Sequence, residues 1–448
     1  MAVTRRRFLE RSLQGGLGVA TGVYGLGARA KAVAPSDKVV VGVMGVGGRG
    51  TFLTQEFASR PDVEIACICD VDSRKFPHAV KLVEEKKGKT PQTVGDFRRI
   101  LEDKNIDAMV CATPDHWHGL ATVLACQAGK DIYVEKPASH NIWEGRKMVE
   151  AARKYNRVVQ VGMQNRSSTY GGSAKESIQS GKLGAVHLVR VYNMLNRTPV
   201  DTADSAPPPE LDWNMWLGPG PLRPYNPKFF QRVFWDFNGG MMTDDGVHQL
   251  DLARRVLGVT YPKSVHHTGG KLHFTDLAET PDTTIATYDF DGLALVFEQD
   301  VWTPYMQKTP DSIRESLTQF PDWYPFNATR IEIYGHKGMM ILGRQGGGYQ
   351  IYDEEHRMIA TGKQRHSEMQ AAHVENFISC IRSRQRPNAD VEHGHISAAL
   401  CHMANISYRL GNRKLEFDSA TETFVNDQEA NQLLRRSYRE PWVVPEKV

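Results

Sequence analysis

The stretch "VVVGVMGVGGRG", residues 39–50, restricts the fold of this chain more than any other. A β-branched apolar run of this length reads as a buried strand. It runs straight into Gly45-x-Gly47-x-x-Gly50. On its own that glycine spacing says little. Here it follows a strand and opens a helix, and Asp70 stands twenty residues past Gly50, at the end of the next apolar run, "DVEIACICD" (62–70). That context marks a dinucleotide-binding turn. Gly45 permits the tight turn, Gly47 lets a pyrophosphate approach the backbone, and Gly50 lets helix and strand pack closely. The phosphates then rest on the helix N-terminus, beside Gly48 and Arg49. Asp70 accepts hydrogen bonds from ribose hydroxyls and repels a 2′-phosphate, so NAD is expected in preference to NADP. Arg74 is a nearby cation that tempers the preference.

The same rhythm continues to about residue 162. "DAMVCATP" (107–114), "DIYVEKP" (131–137) and "RVVQVG" (157–162) are apolar runs separated by amphipathic stretches such as "IWEGRKMVEAARKY" (142–155). Strands alternating with helices predict βαβ units and a buried parallel sheet. Ligands of such sheets lie outside the carboxyl ends of the strands. That topology brings Thr113, Pro114, His118, Glu135 and Lys136 to the cofactor.

Beyond residue 162 the pattern changes. "AVHLVRVYN" (185–193) is a strand, and a Pro- and Trp-rich segment (196–235) follows. Residues 282–302 and 329–343 read as hairpins turning at Asp291-Gly292 and Lys337-Gly338. Two helices, about 367–383 and 390–410, come near the end. The second half is therefore an α+β domain with a large, mostly antiparallel open sheet, and the whole chain is α/β.

Within it lies "GGMMTDDGVHQLD" (239–251). Asp244 and His248 are four residues apart and share one face of a regular helix. Two readings stand side by side: a solvated first turn that welcomes acids, or a general base held in place by an acid.

Composition excludes some classes. Residues 4–10, "TRRRFLE", form a twin-arginine pattern (Arg5, Arg6), followed by a Gly-rich weakly apolar stretch and Ala28-Arg29-Ala30. The expectation is a signal peptide over 1–30, read by the twin-arginine export machinery, and a periplasmic protein. The apolar stretch is too short for stable membrane insertion. Of 55 basic and 52 acidic residues, five arginines and one glutamate lie in 1–30, which leaves 50 against 51. A near-neutral chain without a basic run has no electrostatic footprint for nucleic acid. The six cysteines lack zinc-ligand spacing and read as buried thiols. His393 and His395 are splayed by a helix, so no metal is expected.

Taken together, the fingerprint, "TPDHWH" (113–118), "EKP" (135–137), "VGMQNR" (161–166) and "GGMMTDDGVHQLD" resemble the Gfo/Idh/MocA family over nearly the whole chain after the signal. The resemblance implies a Rossmann NAD-binding domain (37–162) and a C-terminal substrate and oligomerisation domain (163–448), with homodimers or homotetramers. It implies a catalytic set of Lys136, Asp244 and His248, with Asp244 fixing the histidine tautomer. Asp245 stands where relatives commonly have an apolar or aromatic residue. Gln164 is then expected at the cofactor, and Asn165, Arg166, Trp213 and Tyr225 at a carbohydrate or cyclitol substrate. The expected activity is NAD-dependent oxidation of a sugar, glycoside or cyclitol hydroxyl with tightly bound cofactor. The alternatives are a redox-neutral NAD-dependent glycosidase or epimerase, or a non-catalytic sugar or NAD(H) binder.

Overall fold

The computed structural model describes residues 37–324 and 326–448. The twin-arginine segment lies outside the described residues. The first sheet consists of β1 (Val39–Met44), β2 (Val63–Cys69), β3 (Gln92–Val94), β4 (Ala108–Cys111), β5 (Asp131–Val134) and β6 (Val159–Val161). All pairs are parallel, in the order β3-β2-β1-β4-β5-β6. Apart from the edge strand β3, the strands are buried almost throughout, as a parallel sheet covered on both faces requires.

The second sheet has ten strands: β7 (Val186–Met194), β8 (Ser264–Gly270), β9 (Thr283–Phe290), β10 (Leu293–Asp300), β11 (Arg330–Gly335), β12 (Gly338–Gly343), β13 (Gly348–Asp353), β14 (Met358–Gly362), β15 (Leu415–Asp418) and β16 (Thr423–Phe424). Their order is β14-β13-β12-β11-β7-β10-β9-β8-β15-β16. Only β7 and β10 pair in parallel. Both hairpins turn where the sequence places them: Gly292 (φ 70°) links β9 to β10, and Gly338 begins β12. In β9, buried and exposed residues alternate, so one face of the sheet carries the core and the other does not.

Covalent order and packing part company at one element. The helix His366–Ser383 follows β14 in sequence, yet Val374, Phe377 and Ile378 share a core with Val41 and Tyr133 of the first sheet and with Phe57 of the helix Gly48–Ala58. Phe377 meets Phe57 and Tyr133 edge-on, with centroids 6.2 and 5.9 Å apart. A fully buried side chain of this kind contributes about 1.5–3 kcal/mol. Residues 163–448 are thus not a self-contained unit, because one of their helices roofs the parallel sheet. The chain end returns as well. Trp442 packs 5.2 Å from Trp117, and Arg436 pairs with the fully buried Glu144 at 2.9 Å. All six cysteines are buried and free. Among the described residues no helix is long and apolar enough to cross a membrane.

Candidate active site

β1 ends at Met44, and Gly45 takes φ 84°, a conformation that side chains resist. A Cβ on Gly50 would lie 1.9 Å from the Gly45 carbonyl oxygen, so only glycine lets the helix Gly48–Ala58 start there. Gly48 faces open space, and a Cβ on Gly47 would meet only Lys75 Nζ, 4.0 Å away. No side chain caps this helix, and its first turn holds no acid, so its positive end is left for an anion. The residues present fit a dinucleotide.

A cleft with about 980 Å³ of open volume begins here, lined by Gly45, Gly47, Gly48, Arg49, Asp70, Thr113 and Pro114. Asp70 accepts the Val46 N–H at 2.8 Å and the Asp72 N–H at 2.9 Å. Each carboxylate oxygen keeps a lone pair for a ribose hydroxyl. The cation beside it is Lys75, 3.5 Å away; Arg74 turns aside to pair with Asp72. The far wall is aromatic and comes from the second half of the chain: Trp216, Phe229 and Phe230, beside Trp117. Asp115, Lys75 and Arg232 also line the cleft.

Other expected cofactor residues are not part of the cleft lining. His118 is fully buried, with Nδ1 2.7 Å from the Pro137 carbonyl and Nε2 2.9 Å from that of Thr113. It ties the loop after β4 to the loop after β5 and does not line the cleft. Glu135 accepts from Arg49 Nε at 2.8 Å. Against the cost of its burial, Arg49 and then Lys136 hold its carboxyl below the usual range. Gln164 is buried and donates to the Tyr133 hydroxyl at 3.2 Å.

The residues expected at the substrate make the following contacts within the protein. Asn165 Oδ1 accepts from the Tyr170 hydroxyl and the Gln345 N–H, both at 3.1 Å. Arg166 Nε donates to Asp251 at 2.7 Å in a pair almost closed to solvent. Both residues join separate elements through these bonds. Trp213 stacks on Trp216 at 4.6 Å and donates to the Arg223 carbonyl, and Tyr225 meets it edge-on. In that aromatic cluster Trp216 takes the cleft side, because Trp213 is covered by Phe229 and Tyr225.

Lys136 and Asp244, 108 residues apart, meet: Lys136 Nζ donates to the Asp244 carboxylate and, at 2.6 Å, to its carbonyl. Arg232 reaches the same carboxylate. Despite burial, Lys136 and Arg232 hold the Asp244 carboxyl far below the ordinary range. Asp245 is bound by Arg344 at 2.7 Å and Lys308 at 3.1 Å, and is lowered likewise.

His248 does not touch Asp244. Residues Met242–Gly246 form a π-helical turn that becomes α-helical only at Val247–Leu257. The wider turn breaks the four-residue stripe assumed for a regular helix. Gly246 sits where a Cβ would press 2.7 Å onto Phe297 of β10, and this lets the turn lie against the sheet. The His248 ring is 6% exposed, and its Nδ1 is buried without a partner. Burial first, then the Arg344 and Lys136 charges, push its pKa well below the ordinary value, with Asp245 opposing. The imidazole is thus neutral, and the acid that acts on it is Asp245. Arg232, Lys308 and Arg344 carried no signal in the sequence, because single basic residues in loops and hairpins read as solvated surface. Among the described residues no group of three His, Cys, Asp or Glu side chains is placed to hold a metal ion.

Comparison with known proteins agrees with this geometry. Residues 39–163 match the oxidoreductase family's NAD-binding Rossmann fold, and 195–316 with 336–444 match its C-terminal alpha/beta domain. The myo-inositol 2-dehydrogenase of Thermotoga maritima is 23% identical over 82% of this chain and 95% of its own. The alpha-N-acetylgalactosaminidase of Shewanella oneidensis is 28% identical over 34% of this chain and 37% of its own. The fold is similar to that of the WlbA dehydrogenase from Bordetella pertussis, solved with NADH and UDP-GlcNAcA (TM-score 0.61, 22% identity, 85% of this chain and 99% of that one). With both halves matched and the NAD-binding turn in place, the chain belongs to the Gfo/Idh/MocA family of NAD-binding oxidoreductases.

Proposed function

We propose that this protein oxidises a hydroxyl of a sugar, glycoside or cyclitol in the periplasm, with NAD held tightly enough to travel with the protein through twin-arginine export. The observation that carries the reading is a lysine held on the Asp244 carboxylate and carbonyl near a buried imidazole that keeps no hydrogen bond. Bound NAD+ supplies the hydride acceptor. Lys136, held in place by Asp244, stabilises the negative charge that develops on the substrate oxygen. His248, neutral and with no hydrogen bond of its own, receives the hydroxyl proton. Asp244 positions Lys136. The aromatic wall excludes water from the cleft.

One observation supports a second reading. The relatives include a glycosidase, and a redox-neutral cycle would use the same proton-handling groups. The test is to incubate the purified protein, cofactor as isolated, with sugars, glycosides and inositols, and to identify the products by mass spectrometry. A ketone or lactone is the expected product. Cleaved glycoside without net oxidation would favour the second reading, and unchanged substrates with NAD(H) bound would overturn both. Export has its own readout: Arg5→Lys with Arg6→Lys is expected to leave a folded, NAD-loaded protein in the cytoplasm.

The geometry separates the two aspartates. Asp244→Asn removes the charge that holds Lys136, so Asp244→Asn and Lys136→Ala should be strongly non-additive. Steady-state kinetics of the double variant should match the worse single variant. Full additivity would detach Asp244 from Lys136.

A further inference from the structure

The two aspartates do not balance the cations around them. Asp244 is closed by Lys136, whose side chain is 13% exposed, and Asp245 by Arg344, 5% exposed. Each aspartate then carries a second cation, Arg232 or Lys308, and both of these side chains are 40% exposed. Other acids nearby are already committed. Glu135 belongs to Arg49, and Asp311 pairs with Arg314. Asp115, the remaining acid that acts on Arg232, is buried, and that burial raises its carboxyl pKa. Four cations therefore stand against three acids, and the two that reach open space are Arg232 and Lys308.

Their positions are informative. Arg232 lines the cofactor cleft, and its neighbour Gln231 lines a second hollow of about 1000 Å³ open volume together with Asn196, Met241, Met306 and Lys308. The Gln231 side-chain oxygen is buried without a partner, an acceptor suited to a sugar hydroxyl. Asp244 holds Lys136 and Arg232 on one carboxylate, and Asp245 beside it holds Lys308. A neutral sugar gives Arg232 and Lys308 no acid beyond the aspartates they share with Lys136 and Arg344. An oxyanion on the sugar does, with charge-assisted hydrogen bonds to both.

We propose that the sugar oxidised at this site carries an oxyanion, bound by Lys308 and Arg232, the second cations of the adjacent Asp245 and Asp244. The proposal rests on the oxidoreductase reading above. The test compares the NAD-loaded enzyme on matched sets of glucose, galactose and mannose with their uronates, aldonates and phosphates, which also tells carboxylate from phosphate. The expected result is a kcat/KM at least tenfold higher for an anionic member than for its neutral parent, shrinking as salt rises. Lys308→Met and Arg232→Gln should each reduce that preference at least tenfold, with NAD(H) content measured alongside. Turnover of neutral members with no preference for anions overturns this inference alone. Loss of NAD(H) in Arg232→Gln with an unchanged preference in Lys308→Met overturns it too, because the cations would then serve the cofactor and packing. No turnover of any member, with NAD(H) bound, overturns the oxidoreductase reading itself.

Discussion

In the His248→Ala variant we expect turnover to fall by about 10²–10⁴-fold, the usual worth of a positioned acid–base group, while NAD(H) stays bound. The cofactor cleft is built from the ends of β1, β2 and β4 and does not include His248. The folded structure should also survive, because the ring makes no hydrogen bond that its removal would leave open. The pH dependence sharpens the test. A base works only when neutral. An ordinary histidine loses that form below about pH 6.5. Burial, with Arg344 and Lys136 nearby, lowers the His248 pKa, so the neutral form persists into more acidic solution. The acid limb of kcat/KM should therefore lie below pH 6.5, and Arg344→Met should move it upward by removing a charge that disfavours the imidazolium. An acid limb at or above the ordinary histidine value, unmoved by Arg344→Met, would assign the proton to another group. Unchanged turnover in His248→Ala would leave the π-helical turn as scaffold only.

The parts of the molecule legible from sequence are those whose information is local. Each strand of the parallel sheet except the three-residue β3 announces itself as an apolar run, and each of the two expected hairpins by its Gly-containing turn. Gly45, Gly50 and Asp70 are readable because a tight turn, a close helix approach and a strand-end acid each admit few residue types. What was not legible is long-range. No property of His366–Ser383 itself says that its apolar face covers a sheet laid down three hundred residues earlier. The order of the ten-stranded sheet, with β7 between β11 and β10, has no local signature. At the site, the spacing of Asp244 and His248 implied contact only through a regular helical period, and one wide turn removes that premise. Trp213 and Tyr225 look like sugar-stacking residues in a sequence, yet an aromatic-rich loop can satisfy its rings internally, and here it does.

Asp251→Leu is expected to cost about 3–5 kcal/mol of stability, the scale set by leaving buried charge without its partner. Asp251 is 1% exposed and lies on the same helix as His248, one turn further on. It accepts from Arg166 at 2.7 Å and from Ser397 at 2.7 Å. Ser397 in turn accepts from Arg254, and Arg254 feels the positive charge of Arg166 so closely that, with burial as the main cause, its pKa is pushed down to about 9. Arg255 is held nearby on the Asn165 carbonyl and Ser168. One carboxylate thus neutralises a knot that joins the "VGMQNR" segment, the helix Val247–Leu257 and the helix Val391–Arg409. Removing it leaves Arg166 and Arg254 facing each other in a dry interior. Adding Arg166→Met to Asp251→Leu should recover part of the loss, because an apolar pair strands less charge than half an ion pair does. Urea denaturation of the three variants measures both effects. The comparison also decides what Arg166 is for. If Arg166→Met alone raises KM for the substrate and leaves stability unchanged, Arg166 reaches the ligand after all. If it lowers stability and leaves KM unchanged, Arg166 holds in place the helix that carries His248.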